Sequence, residues 1–222
     1  MRLRATLLPL LLTLAPAASP ASPASPATDL NLDLSLDVSH DMTAVRYDDG
    51  REVDTQYTEV GASIWQTELS WLQMGLTGGV GWLSQNGDPV TEGRSFDMNY
   101  GGLMVRSRLP LVAGMGVSAR AHWIYHQAKD NSDPQITLAW YDSEGRMGVY
   151  ATFSELRLEG GGTVRHVDGE RRRSGETLDF GAPQTTGAYL DADLLLQHSS
   201  RIGFHAEAGA RKAFSIDFAR RF

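Results

Sequence analysis

The run Gln197-His198-Ser199-Ser200-Arg201 sets a histidine beside two hydroxyls, and Glu207 follows on the same stretch. A histidine that takes a serine proton, steadied by a carboxylate, is the working set for ester hydrolysis. Two other places join histidine with acids: His40-Asp41 with Asp48-Asp49 after it, and His166 with Asp168. Such groups can activate water against a peptide bond. Thr77-Gly78-Gly79-Val80-Gly81 has the glycine content of a phosphate cradle, and Arg171-Arg172-Arg173 offers guanidinium forks that match phosphate oxygens. Each has a plainer reading. Serine-rich pieces are common turns. The glycine run lacks the helix a phosphate loop needs, and glycines along a strand more often admit a bend or a crowded neighbour. The acids and histidines fit a solvated rim, and the arginines fit a solvated hairpin tip. No residue is therefore assigned as catalytic, and neither metal nor cofactor is expected.

The elements that would hold these residues are strands. From Asp29 to His40, Leu30, Leu32, Leu34, Leu36 and Val38 alternate with Asn31, Asp33, Ser35, Asp37 and Ser39. Period two marks a strand whose faces meet different surroundings. The pattern recurs over 55–65, 72–82, 96–104 and 115–125, and in shorter form over 135–141, 147–158, 188–197, 202–208 and 213–222. In 96–104, Phe96, Met98, Tyr100 and Met104 oppose Asp97, Asn99 and Gly101. Ten strands result. Long polar connections at 41–54, 85–94, 127–134 and 159–184 alternate with short ones at 66–70, 109–111, 142–145 and 198–200. That is the rhythm of an up-and-down barrel. The connection at 209–212 breaks it, being short where a long one is due. Eight strands would serve if 127–185 formed one external excursion.

The chain of 222 residues suits one domain. It has no cysteine, which excludes disulfides, thiolate metal sites, a cysteine nucleophile and a lipoprotein anchor. Arg2 and Arg4 precede an apolar stretch, Ala5 to Leu14, too short to span a bilayer. With the small residues Ala15-Pro16-Ala17 it reads as a signal peptide, 1–17, with cleavage as late as 27 an alternative. A Ser/Pro/Ala linker, 18–28, leads to the barrel, 29–222. Losing Arg2 and Arg4 takes the formal charge from -7 to -7 - 2 = -9. That acidity, with no basic stripe, argues against nucleic acid as a partner.

Alternation alone also permits a soluble barrel with its leucines inside. Three features turn them outward. The minority face carries small and mutually pairing groups that suit a narrow lumen: Asp33, Asp37, Glu59, Asp97, Arg120, His122, Asp191, Asp193, His205, Glu207 and Asp217. Trp65, Trp71, Trp82, Trp123 and Trp140 stand at strand ends, where aromatic rings girdle a membrane barrel. Finally, in "AFSIDFARRF" Phe214, Ile216, Phe218 and Phe222 share a face, and the chain stops on Phe222. This stretch resembles the C-terminal strand of bacterial outer-membrane β-barrels, which commonly ends on an aromatic residue. The resemblance implies that Phe218 and Phe222 are read by the barrel-assembly machinery. Arg220 departs from it by sitting on the apolar face, within reach of headgroups.

The expected protein is all-β, an antiparallel up-and-down transmembrane β-barrel of ten strands in the bacterial outer membrane. Its expected role is structural or in surface interaction. The acids of the lumen outnumber Arg120, so the polar plug would leave at most a narrow cation-preferring pore. Expected partners are outer-membrane lipid, lipopolysaccharide at Arg171, Arg172 and Arg173, and the assembly machinery; the protein is expected to be a monomer. An outer-membrane hydrolase is the alternative. The His198-x-Ser200 pattern with its later acid resembles the lipid A deacylase arrangement, and the acid–histidine groups are of the kind that omptin-type proteases use. A soluble periplasmic ligand-binding barrel is the second alternative.

Overall fold

The computed structural model describes residues 32–196 and 199–222. The expected signal peptide and linker, residues 29–31 and His198 lie outside the described residues. The strands are β1 Leu32–Tyr47, β2 Glu52–Leu69, β3 Leu72–Asn86, β4 Ser95–Val112, β5 Met115–Lys129, β6 Ile136–Phe153, β7 Leu156–Arg173, β8 Glu176–Gly181, β9 Thr186–Leu195, β10 Ser200–Ala208 and β11 Lys212–Arg221. All pair antiparallel, each with its neighbour in the chain except around β8 and β9.

Those two short strands belong to one descending wall. β8 pairs with the upper part of β7, Asp168 to Arg173, and β9 with its lower part, Leu156 to Val164. At the end that holds Leu32 and Phe222 the sheet closes as ten strands, β11 pairing β1 from Asp33 to Met42. At the opposite end β10 and β11 have already stopped. There β8 crosses to β1, Arg46 facing Gly181 and Tyr47 facing Phe180. The barrel narrows to eight strands at that level. The short connection at 209–211 has its reason here: β8 closes the wall above it.

The ten strands of the wall differ from the ten read in the sequence. Residues 142–145 were expected to turn and instead lie mid-β6; most of 159–184, expected as a loop, is upper β7 and β8. Turn-like composition yields to cross-strand pairing, since Asp142 and Glu144 sit opposite Val167 and Arg165 and point inward. The true turn is at 154–155, where Ser154 takes φ 54°.

The register is fixed by a polarity that reverses partway along each strand. On β1, Leu34, Leu36 and Val38 face out and Asp33, Ser35 and Asp37 face in; nearer the loops, Val45 and Tyr47 face in and Arg46 faces out. On β3, Leu76 and Val80 are exposed outward, whereas Leu83 is buried inward between Ser84 and Trp82. Strands β4 to β7 change over in the same way, at Asn99, Gln127, Thr137 and His166. The outward apolar stretch of β3, Leu72 to Trp82, is ten steps of ~3.3 Å, which at a tilt of ~40° makes a band ~25 Å tall. That is the height of the apolar band of a membrane barrel. A soluble barrel would put this surface inside.

Beyond the band the architecture is that of a soluble protein. Val45, Tyr47, Val53, Tyr57, Leu83, Phe96, Met98, Ala128, Ile136, Leu138, Trp140, Val167 and Phe180 fill the eight-stranded end as one buried cluster. Burial of each large member stabilises by ~1.5–3 kcal/mol.

Candidate functional site

The charged interior below the apolar cluster holds most of the chemistry-bearing side chains. Directly beneath the cluster lies Arg165 of β7, only 1% exposed. It donates to both oxygens of Asp142 at 3.0 and 2.8 Å, to the Tyr57 hydroxyl at 3.3 Å and to Thr43 at 3.2 Å. A buried guanidinium is tolerable only with partners of this number and geometry. Arg211 enters from the β10–β11 turn and meets Asp41 at 3.0 Å, Glu144 at 3.2 Å and Glu207 at 3.2 Å. Arg146 pairs with Glu144 and, at 3.3 Å, with Glu207, and His205 pairs with Asp191. A cavity of about 160 Å³ lies among these groups, lined by Glu59, Arg120, His122, Asp191 and Asp217 as well. Arg211 also lines a notch of about 450 Å³ on the outside, beside Pro183 and Gln184. It is the partition between the two.

The middle of the lumen is crowded. His126 stacks on Trp140 with ring centroids 4.6 Å apart, and its Nε2 is 3.0 Å from Glu59. The Tyr100 ring lies over β2 and β3, so a Cβ on Gly61 would stand 1.9 Å from its hydroxyl and one on Gly79 would stand 2.8 Å from Cε1. Within the 77–81 run, Gly79 thus makes room for a phenol and Gly81 for the Met98 side chain. At the turn end, Arg106 lies over the Trp65 ring at 4.2 Å and meets Asp33 at 3.0 Å and Gln73 at 2.5 Å. Arg221 meets the same Asp33 at 2.7 Å.

Of the residues read from sequence as lumenal, Asp33, Asp37, Glu59, Arg120, His122, Asp191, Asp193, His205, Glu207 and Asp217 face inward. Asp97 does not. It is exposed on the outer face of β4, because Phe96 and Met98 on either side belong to the buried apolar cluster. In the sequence β4 shows a single apolar phase through Phe96, Met98, Tyr100 and Met104, and Gly101-Gly102 carries no side chain that would reverse it. Arg120 is not the lone fixed cation of the interior, although the inward acids still outnumber the inward arginines. Arg106, Arg108, Arg146, Arg157, Arg165 and Arg201 also face inward, as do Asp41, Asp142, Glu144, Glu159 and His126. A signal for several existed: Asp142, Glu144 and Arg146 keep strict alternation through the supposed turn, as do Arg157, Glu159 and Arg165 through the supposed loop.

The tryptophans divide. Trp71, Trp82 and Trp123 are exposed, on the band or at its edges, whereas Trp65 and Trp140 are buried inside, each stacked on a polar side chain. They point inward because they share strand parity with Glu59 and Asp142. Phe218 lies on the outer face, and Phe222 follows the last strand with its amide donating to the Leu32 carbonyl at 2.9 Å. The arginine run is split as well. Arg171 turns inward to the buried Asp88 and lies over Tyr47, while exposed Arg172 pairs with Glu170. Arg172 is eight steps above Val164, the last outward apolar residue of β7, hence ~20 Å above the band.

The described members of the hydrolytic groups read from the sequence do not come together. Ser200 and Glu207 are at opposite ends of β10, seven steps or ~23 Å apart. His40 is exposed outward and Asp41 is buried inward, on opposite faces of β1. His166 and Asp168 are exposed on the outer face of β7. No group of three or more His, Asp or Glu among the described residues is placed to hold a metal.

The loops are pinned by ion pairs. Hydrogen bonds from Arg51 hold the Asp49 carboxyl below the ordinary carboxylate value. Burial pushes Asp130 up, but hydrogen bonds from Ser132, from the Ile136 amide at 2.6 Å and from Arg94 at 2.7 Å outweigh it and hold that carboxyl low.

No protein-family model matches the chain, and no curated protein matches it. Among solved structures it is similar to the translocator domain of the autotransporter NalP from Neisseria meningitidis, with 11% identity, 88% of this chain and 90% of that one covered, and a TM-score of 0.48. It is similar to the outer membrane protease OmpT from Escherichia coli, with 9% identity, coverages of 90% and 99% and a TM-score of 0.47. It is similar also to an outer membrane channel from Pseudomonas putida F1, with 11% identity, coverages of 90% and 100% and a TM-score of 0.46.

Proposed function

We propose that this chain is a small monomeric outer-membrane β-barrel with a structural or surface-interaction role and a plugged lumen. One observation carries the reading: the buried apolar cluster that fills the eight-stranded end, directly above Arg165 and its partners. Ions crossing the barrel would have to enter that apolar plug without their water, at a cost of many kcal/mol. At most a narrow leak remains. The apolar band supports a place in lipid, and the polar extension beyond it supports exposure of the loops to the outside. Outer-membrane lipid and lipopolysaccharide are the proposed surroundings, and the assembly machinery is the proposed reader of Phe218 and Phe222. The test joins two measurements. Carbonate-washed outer membranes should retain the protein in a heat-modifiable form, and planar-bilayer recordings should be silent or show only small steps. Recovery in the soluble fraction would overturn the location, and large steps would overturn the plug.

A further inference from the structure

The turn-end mouth of the barrel carries more positive charge than its own carboxylates satisfy. Asp193 of β9 is shared by three guanidinium groups from three other strands. Arg201 lies 2.6 Å from Oδ1, while Arg157 and Arg108 lie 3.5 and 3.7 Å from Oδ2. Arg108 has one further partner, Glu159 at 3.3 Å, and Arg201 has Asp217 at 2.8 Å. The Nε–H of Arg157 is buried and donates to no partner among the described residues. These arginines, with Arg106, Arg220 and Arg221, line one open cavity of about 570 Å³. Among the described side chains, Arg106, Arg108, Arg157, Arg201 and Arg221 pair there with Asp33, Asp193, Glu159 and Asp217, an excess of 5 - 4 = +1, and Arg220 adds its charge from the outer rim.

Each guanidinium has five donors, and one carboxylate offers about four acceptor sites. Three forks cannot all be bidentate on Asp193, so donors are left over on arginines that line the cavity. Like charges held this close are costly unless a counter-ion joins them. A group with several oxygens and negative charge would supply both the acceptors and the charge. Guanidinium forks match tetrahedral phosphate in this respect.

We propose that the mouth binds a phosphate-class oxyanion, held by Arg108, Arg157 and Arg201 in competition with Asp193. The inference goes beyond the role proposed above and needs only this cavity, so it stands or falls separately from conductance or location. Two sources carry this chemistry, a free phosphate compound and a phosphomonoester lipid headgroup. The test is calorimetric titration of the folded protein in dodecyl maltoside with inorganic pyrophosphate and, separately, with dioctanoyl phosphatidic acid. Saturable binding of either is expected. Arg157→Gln should weaken it about tenfold or more, the usual effect of losing a charged hydrogen-bond donor. Arg172→Gln at the far end should leave it unchanged. Asp193→Asn should tighten it several-fold, because the competing carboxylate charge is gone. This opposite sign separates a binding site from mere loss of fold and keeps the test informative if Arg157→Gln does not fold. Tighter binding of pyrophosphate assigns a free phosphate compound; tighter binding of phosphatidic acid assigns the lipid. No saturable binding of either, or binding indifferent to both Arg157→Gln and Asp193→Asn, would overturn the proposal.

Discussion

Leu76 stands near the middle of the outward band of β3, 61% exposed, with Leu72 at one edge and Trp82 at the other. If that band meets hydrocarbon, Leu76→Arg places a charge at the bilayer midplane at a cost of ~2–4 kcal/mol. At ~1.4 kcal/mol per tenfold, the folded-to-unfolded ratio falls roughly 30- to 700-fold. Ser84 is on the same face eight steps nearer the loops, hence ~20 Å above Leu76 and clear of a band that extends only ~12 Å from its middle. Ser84→Arg should change stability by no more than ~0.5 kcal/mol. Between them, Leu83 is 2% exposed in the apolar cluster, so Leu83→Ala should cost ~2–5 kcal/mol. Urea titration in phosphatidylcholine vesicles, scored by heat-modifiable migration, reads all three. A Leu76→Arg variant as stable as the parent would refute the band. So would a Ser84→Arg variant as damaged as Leu76→Arg, because the polarity would then not reverse.

Further outcomes follow from the interior, the loops and the last strand. Arg165→Ala leaves Asp142 buried and unpaired and should cost ~3–5 kcal/mol, while the double variant Arg165→Met, Asp142→Leu should recover most of that in the same titration. The Asp130 carboxyl is held low in the folded protein. Its contribution is therefore present at neutral pH and is lost as pH falls through that lowered value. Hydrogen exchange of the Ile136 amide, bonded to Asp130, should quicken relative to β5 amides only once pH falls below the ordinary carboxylate value of about 4; quickening already above that value would contradict a carboxyl held low. Deleting Phe222 should lower the amount of heat-modifiable protein in outer membranes, and an unchanged amount would remove the assembly signal.

The barrel was legible because alternation is a strong signal wherever one face meets lipid and the other a charged lumen. It gave β1, β2, β3 and β5 their facing directly. It failed where the polarity reverses. Phe96 and Met98 are as apolar as a lipid face, yet they are core, so Asp97 was set inside. Asp142-Ser143-Glu144-Gly145 has turn composition, yet Arg165 and Arg146 hold its acids within a strand. Both errors share a cause. A strand of 18 residues, such as β6, is longer than the ~9–11 needed to cross a bilayer, and its outer part obeys the rules of a soluble protein. The arginines of the mouth were missed for another reason: sequence gives strand parity, while Asp193 and its partners meet only through the closure of the sheet.

The central claim, a barrel with lipid outside its lower part and water outside its upper part, can be read residue by residue. The chain has no cysteine, so single cysteines can carry a spin label without background. Labels at positions 76, 80, 84 and 86 on the outer face of β3, in vesicles, should show oxygen accessibility at the first two and water-soluble nickel accessibility at the last two. Nickel reaching position 76, or oxygen dominating at 86, would contradict the account.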